Sequence, residues 1–157
     1  MITIRRATHT DVETLTELSF VMHQESQFKQ YNFNADKVRR MWTSYIELPA
    51  MGIALAAELD GKLVGAFLGG VVEHFFGDDR QAYDLGLFVH PEHRNSKVGA
   101  LLLLEYIKQA KEMGVDEIMI ANSTGVDPER VAMLFERAGF TKYGYVYRMN
   151  VEKGKCV

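Results

Sequence analysis

The sequence predicts an α/β fold of the α+β type, in which helices cover both faces of a central mixed sheet. Apolar segments of strand length alternate with segments of helical periodicity along the chain. The run IALAAELDGKLVGAFLGGVV at 53–72 also contains the dipeptide Asp60-Gly61, which favours a tight hairpin turn. The 157 residues, 47% of them hydrophobic, can bury one substantial core. We therefore expect a single domain over residues 1–157.

The predicted element order is β-α-α-β-β-β-α-β-α-β. Val12, Leu15, Leu18 and Met22 give the first helix its apolar face, and Tyr143, Tyr145 and Tyr147 alternate along the last strand. The predicted strands are 2–6, the two arms of the 53–72 hairpin, 82–90, 117–121 and 141–151. The predicted helices are about 11–24, the segment between Asn34 and Pro49, 97–113, and the segment from Asp127-Pro128 to Gly139.

Charge and composition exclude several classes of function. The net charge of −3 gives no electrostatic support for binding nucleic acid. There is no apolar run of 18 residues and no signal-peptide pattern at the N-terminus, so we expect no membrane partner. The single cysteine, Cys156, excludes a disulfide framework. These features predict a soluble, cytoplasmic protein.

The stretch VHPEHRNSKVGALLLLEYI, at 89–107, passes from a strand through a polar, basic turn into a helix. The first amides of a helix have no partner within the helix and lie at its positive end, so those of Ser96 to Ala100 could bind a phosphate. Arg94 would add a charge-assisted contact, and Gly99 would permit close approach of a ligand. Taken alone, this pattern is more simply interpreted as an ordinary connection between a strand and a helix.

Two motifs resemble a known family. VHPEHRNSKVGALLL resembles the acetyl-CoA-binding motif V-x-P-x-x-R-G-x-G-I-G-x-x-L of the GNAT superfamily of N-acetyltransferases. Downstream, VAMLFERAGF is similar to the family motif A-x-x-L-Y-E-K-x-G-F. The element order also agrees over nearly the whole chain. The resemblance implies the GNAT fold, a mostly antiparallel sheet with two splayed strands.

The resemblance also implies roles for individual residues. The turn that would hold the pyrophosphate of acetyl-CoA consists of Arg94, Asn95, Ser96, Lys97, Val98, Gly99 and Ala100. The strand that would pair with the pantetheine arm is implied at Leu87, Phe88 and Val89, and Asn122 is a further candidate contact to the pantetheine amides. An amide at the end of this strand would polarise the thioester carbonyl.

Three residues depart from the family pattern. Asn95 and Lys97 stand where the family motif has glycines, so Lys97 either crowds the phosphates or supplies charge to them. The tyrosine that commonly protonates the departing CoA thiolate aligns with Phe135, which has no proton to donate.

Transfer of an acetyl group to an amine requires a base, because an alkyl amine is mostly protonated at neutral pH. The candidates from the sequence are Glu73 and Asp84, with His74 less favoured. Each is more simply interpreted as a solvated residue near the end of a strand. For the acid, one of the tyrosines of the last strand is a candidate, although that face is more simply interpreted as core.

These patterns lead to a primary hypothesis of an acyltransferase that uses acetyl-CoA to acetylate a primary amine of a small molecule or peptide directly. Acidic residues that include Glu25, Asp78 and Asp79, with aromatic neighbours, would favour a cationic acceptor such as a polyamine, an amino sugar or a protein amine. No metal is expected, because no further ligand completes a site around His90 and His93 at a recognised spacing.

Two alternatives stay open at this stage. The first is a catalytically degenerate GNAT-fold domain that binds CoA or a protein partner without turnover, which Phe135 favours. The second is an unrelated nucleotide-binding α/β domain. The resemblance also allows a homodimer, although no residue identifies an interface.

Overall fold

The computed structural model of the protein describes residues 1–151, and it contains a five-stranded sheet and four α-helices. The strands are β1 (Ile2–Arg6), β2 (Gly52–Leu59), β3 (Lys62–Glu73), β4 (Arg80–Val89) and β5 (Glu117–Met119). The helices are α1 (Val12–Glu25), α2 (Ala35–Glu47), α3 (Val98–Glu112) and α4 (Pro128–Arg137). This order confirms the predicted succession of elements as far as α4.

The sheet follows the order of the chain, β1-β2-β3-β4-β5. The first four strands are antiparallel, and β4 and β5 are parallel. The predicted hairpin joins β2 to β3, where Asp60 and Gly61 have φ values of 51° and 80°. Positive φ at both central residues matches the right-handed twist of the strands, so this dipeptide sets the register of the hairpin.

Each face of the sheet has its own hydrophobic core. On one face, α3 and α4 pack on the sheet through a cluster that includes the fully buried Phe67, Leu102 and Tyr106. The rings of Phe67 and Tyr106 stack with their centroids 3.9 Å apart. On the other face, α1 and α2 bury Leu15 and Trp42 against small and apolar residues of β2 and β3. Helices therefore cover both faces, as the alternating pattern predicts.

The predicted strand at 141–151 is wrong, because this segment contains no regular secondary structure. Gly144 has a φ of +71°, which interrupts an extended backbone in the middle of the segment. Tyr143, Tyr145 and Tyr147 are 82%, 79% and 90% exposed, so their alternation marks no buried face. The edge offered by β5 is only three residues long. Alternating aromatics are therefore insufficient for a strand here.

Two smaller predictions also need correction. The strand predicted at 117–121 ends at Met119, because the Ala121 amide turns away to donate to the Asp84 side chain. Asp127 precedes α4 as expected, but it has a left-handed backbone with φ +45° and makes no side-chain cap. Among residues 1–151, no helix is both long and apolar enough to cross a membrane. Cys156 lies outside the described residues.

Candidate active site

A cleft opens where β4 and β5 part. The two strands pair only from Gln81 to Tyr83 on β4 and from Glu117 to Met119 on β5. Beyond this point, the Asp84 Oδ1 atom accepts a hydrogen bond of 2.9 Å from the Ala121 amide, which replaces the next backbone contact. From there to Val89, the outer edge of β4 faces the cleft instead of another strand.

The backbone of β4 exposes polar groups along this edge. The His90 amide donates to the Val64 carbonyl at 2.8 Å on the β3 side, and pairing directions alternate along an antiparallel strand. Phe88 therefore pairs towards β3, whereas Leu87 and Val89 direct their backbone groups towards the cleft. The Val89 carbonyl accepts from Arg94 Nε at 3.1 Å, but the Leu87 backbone has no partner among residues 1–151.

The cleft encloses a cavity of about 330 Å³ between α1, β4 and α4. The predicted residues that line it are Leu87, Phe88, Val89, Arg94, Ser96, Gly99 and Ala100. The lining residues that the sequence did not indicate include Met22, Thr124, Val126, Arg130 and Leu134. They come from segments remote in sequence, and only folding brings them to the cavity.

The turn over residues 94–100, called the 94–100 turn below, presents free amides at the start of α3. The Ser96 amide donates to the His93 carbonyl and the Val98 amide to Ser96 Oγ. By contrast, the amides of Lys97, Gly99 and Ala100 have no acceptor in the described part of the chain. Helix N-terminal amides of this kind bind anions, and the positive end of the helix dipole strengthens that interaction.

Gly99 has a negative φ, so its backbone conformation does not require a glycine. A Cβ atom added there would contact only Val89 Cγ2, at 3.6 Å, which is an ordinary van der Waals distance. The fold alone would therefore accept a larger residue at this cavity-lining position. The space that a Cβ would fill suits a ligand that approaches the backbone closely.

The two departures from glycine in the 94–100 turn cause no strain. Asn95 and Lys97 both have negative φ values, and both are exposed. Lys97 is the residue before α3, with φ −80° and ψ 1°, and its side chain does not line the cavity. The crowding of phosphates that the sequence suggested for Lys97 therefore finds no support. Val98, in the same turn, points its fully buried side chain into the core.

Arg94 lines the cavity and forms an ion pair with Glu25 at the end of α1. Its guanidinium also lies over the Phe88 ring, 5.8 Å from the centroid. Nε is used by the Val89 carbonyl, which leaves further N–H donors of the fork for a ligand. The sequence placed Glu25 with the acceptor amine, whereas the structure places it against this arginine.

Asp84 lies where β4 and β5 part, about 10 Å along the strand from Leu87 at the usual rise per residue. It is partly buried, and that burial raises the pKa of its carboxyl group, while hydrogen bonds from backbone amides oppose the shift. The Tyr106 hydroxyl donates to the adjacent Tyr83 carbonyl at 3.0 Å. Asp84 thus holds a carboxylate with raised basicity where the two strands part, although it is not among the residues that line the cavity.

The other candidate catalytic residues lie elsewhere. Glu73 is exposed and pairs in register with Arg80, so it lies about 14 Å beyond Asp84, away from the cavity. His74 stacks on Phe75 and Phe76 in the turn between β3 and β4. Asn122 donates to the Pro128 carbonyl at 2.7 Å and does not line the cavity.

Two further positions complete the comparison with the sequence. Phe135 is 9% exposed and packs near Phe140 in the core, with ring centroids 6.0 Å apart. Ligand atoms of His90, Glu92 and His93 lie within 4.8 Å of one another. The separation of His90 Nδ1 from Glu92 Oε2 is 3.7 Å, wider than the roughly 3.3 Å between ligands of a tetrahedral zinc ion. Absence of a metal stays a prediction.

A family model described as "Acetyltransferase (GNAT) family" matches residues 17–140 of the chain. The chain belongs to the GNAT acetyltransferase family. The match spans α1 to the start of the final segment and includes the 94–100 turn and α4. No curated protein is similar enough in sequence to match the chain.

Solved structures with the GNAT acetyltransferase fold superpose on nearly the whole chain. An aminoglycoside acetyltransferase from an uncultured soil metagenomic sample has a TM-score of 0.73 at 18% identity, covering 97% of this chain and 99% of its own. A predicted acetyltransferase from Clostridium acetobutylicum, solved with acetyl-CoA, scores 0.72 at 15% identity and 96% coverage of both chains. A ribosomal-protein-alanine N-acetyltransferase from Brucella melitensis biovar Abortus 2308 scores 0.72 at 17% identity, covering 96% and 99%. At these identities, the similarity shows the fold.

Proposed function

We propose that this GNAT acetyltransferase is an N-acetyltransferase that binds acetyl-CoA in the cleft between β4 and α4 and transfers its acetyl group directly to a primary amine. The observation that carries the proposal is the meeting of free backbone groups from two elements in one cavity. These are the Leu87 backbone and the Val89 amide on the outward edge of β4, and the amides of Gly99 and Ala100 at the start of α3.

The two sets of backbone groups suit the two parts of CoA. The 94–100 turn offers N–H donors and the Arg94 guanidinium, which suit a pyrophosphate. The Leu87 backbone offers both an N–H and a C=O at a strand edge, which suits the amides of an extended pantetheine arm. Gly99 leaves room for the ligand to approach the start of α3. A solved acetyltransferase of the same fold holds acetyl-CoA, which supports this assignment.

Asp84 is the proposed base. Acetyl-CoA supplies an activated thioester. The acceptor amine must lose a proton so that its nitrogen can bond to the carbonyl carbon of that thioester, with CoA thiolate as the leaving group. A carboxylate with a raised pKa is better matched to that proton at neutral pH than an ordinary aspartate. Asp84 lies where β4 and β5 part, about 14 Å closer to the cavity along the strand than Glu73, so position favours Asp84.

The proton for the departing thiolate does not come from Phe135, whose side chain is buried in the core. A thiolate with a pKa near about 8.5 can leave as the anion and be protonated by water. Loss of the tyrosine is thus compatible with turnover. The acceptor class we propose is a small-molecule or peptide amine.

Calorimetric titration with acetyl-CoA, CoA and ATP tests the binding part of the proposal, and thiol release across a panel of polyamines, amino sugars and peptide amines tests the transfer. We expect micromolar binding of both CoA species, weak binding of ATP, and thiol release with at least one amine. Absence of acetyl-CoA binding at millimolar concentration would contradict the proposal. Binding without thiol release would instead support the degenerate CoA-binding domain, which the position of Phe135 favours.

A further inference from the structure

Arg130, in the first turn of α4, makes two hydrogen bonds to consecutive residues of the 94–100 turn. Its Nη2 atom donates to the Arg94 carbonyl at 2.6 Å, and its Nη1 atom donates to Asn95 Oδ1 at 3.3 Å. The partners are 36 and 35 residues away in sequence. One guanidinium therefore ties α4 to the turn that precedes α3, across one end of the cleft cavity.

The Arg94 carbonyl is the acceptor that most needs this contact. A carbonyl oxygen directed at the phosphate site would repel the anion, whereas the amides three to six residues later attract it. The hydrogen bond from Arg130 directs the Arg94 carbonyl towards α4. The amides of Lys97, Gly99 and Ala100 are left without acceptors in the described chain, and Gly99 and Ala100 line the cavity.

Asn95 supplies the second acceptor, and it does so at a position where the family motif has glycine. Its backbone φ is negative, so glycine is not required there for conformation. A glycine would have no side-chain oxygen for the Arg130 fork. The departure from the motif therefore adds a contact to the turn without strain in its backbone.

We propose that Arg130 is a positioning residue that clamps the 94–100 turn in its anion-binding conformation, with Asn95 as its side-chain acceptor. The inference rests on the proposed function and deepens it, since it names residues that set the affinity for the CoA phosphates. Lysine cannot replace the clamp, because one ammonium lacks the planar fork that reaches two acceptors at fixed spacing. A direct phosphate contact by the Arg130 charge is the competing role, and lysine would preserve it.

The test is CoA affinity by calorimetry for wild type, R130A, R130K, N95A and the double variant N95A/R130A. We expect R130A to weaken binding about tenfold, since it removes two hydrogen bonds from a charged donor. R130K should stay close to R130A, and N95A should weaken binding about threefold, the effect of one bond. The double variant should match R130A, because the two residues act through one contact.

Two further readouts separate positioning from a general loss of structure. For acetyl-CoA turnover, the KM should rise in R130A while kcat stays close to that of wild type, and the melting temperature without ligand should fall only slightly, because both hydrogen bonds are exposed. R40A is the matched control, because Arg40 is an exposed arginine of α2, away from the cavity. It should bind CoA as wild type does.

The contrary outcomes are distinct. Restoration of affinity by R130K, or additive losses in N95A/R130A, would overturn the clamp and assign Arg130 to direct phosphate contact. Equal CoA binding by wild type and R130A would overturn the clamp alone. Failure of wild type to bind CoA would contradict the clamp and the proposed function together.

Discussion

The β2–β3 and β4–β5 strand pairs belong to one sheet but use their backbones differently. β2 and β3 pair from Gly52 and Gly70 to Leu59 and Lys62, and most of their residues are buried. β4 and β5 pair over three residues only and then part. The β2–β3 pair uses its backbone polar groups within the sheet, whereas β4 beyond Tyr83 leaves its outer edge unpaired by β5. Under the proposed function, the CoA site of this fold is created where strand pairing stops.

The largest effect is expected at Asp84, where the pairing stops. D84N should lower kcat by about 10²–10³, the usual contribution of a general base, with little change in the KM for acetyl-CoA. Asparagine keeps an oxygen for the Ala121 amide, so the splay should persist. Steady-state kinetics check this result, with E73Q as the control that should match wild type. An equal loss of kcat in D84N and E73Q would contradict the assignment of Asp84 as the base.

The same carboxyl group gives a pH prediction. Burial raises the pKa of Asp84, so the folded state binds its proton more tightly than the unfolded chain does. Ionisation therefore costs stability as pH rises above the ordinary value, and D84N should melt no lower than wild type at pH 7 to 8. Activity needs the carboxylate, so kcat should fall as pH drops through the raised pKa. A pH–rate profile in which D84N retains that acidic limb would contradict this role.

A smaller effect is expected at Gly99, in the cavity. G99L should weaken CoA binding by about 10–100-fold, which corresponds to the usual cost of overpacking of 1–3 kcal/mol. G99A should weaken it less and should stabilise the free protein by up to about 1 kcal/mol, because alanine favours the helix. Calorimetry and thermal melts check both. G77A, at the β3–β4 turn, is the control that should leave CoA binding unchanged, since a Cβ there meets nothing within 4 Å. Undiminished CoA binding by G99L would place the ligand elsewhere.

The ion pair between Arg94 and Glu25 should affect affinity in two opposite directions. R94A should weaken CoA binding about tenfold, because it removes a charge-assisted contact. E25Q should strengthen it about threefold, because it frees the guanidinium from a competing carboxylate. E13Q is the matched control on the same helix, since Glu13 pairs with Arg39 away from the cavity. Weaker binding by E25Q would show that Glu25 orients Arg94 for the ligand.

The smallest effect on ligand binding is expected at β1, which pairs with β2 on the side of the sheet away from the cleft. Arg5 of β1 pairs with Asp11, and this contact lowers the pKa of Asp11 from its ordinary value of 3.8 to about 2. The stability that Asp11 contributes is present above pH 3.8 and is lost as pH falls towards 2. D11N should remove this acid-dependent loss and lower the melting temperature at pH 7. CoA affinity at pH 7 should be unchanged, and a change would mean that the two parts of the sheet are coupled.

The sequence predicts the β2–β3 hairpin and the helices α1 and α3 well. Asp60-Gly61 sets the hairpin register locally, and the apolar periodicity of α1 and α3 reports burial directly. The motif around Arg94 and Gly99 also predicts the start of α3 and its free amides, since these follow from the chain itself, and phosphate binding there stays a prediction.

The parts that the sequence could not predict depend on contacts between remote segments. Arg130 reaches the Arg94 carbonyl, and Glu25 reaches the Arg94 side chain, only after three elements have packed together. The end of β5 at Met119 depends on the Asp84 side chain, which diverts an amide from the sheet. The aromatics of 141–151 predict a strand, but a left-handed Gly144 and a short edge at β5 prevent it.

The most direct test of the central claim is an amide-resolved NMR titration of the protein with CoA. The account predicts that the amides of Lys97, Gly99 and Ala100, with those of Leu87 and Val89, shift most, and that amides of β2 and β3 barely move. Saturable binding that shifts β2 and β3 and leaves the 94–100 turn unchanged would contradict it.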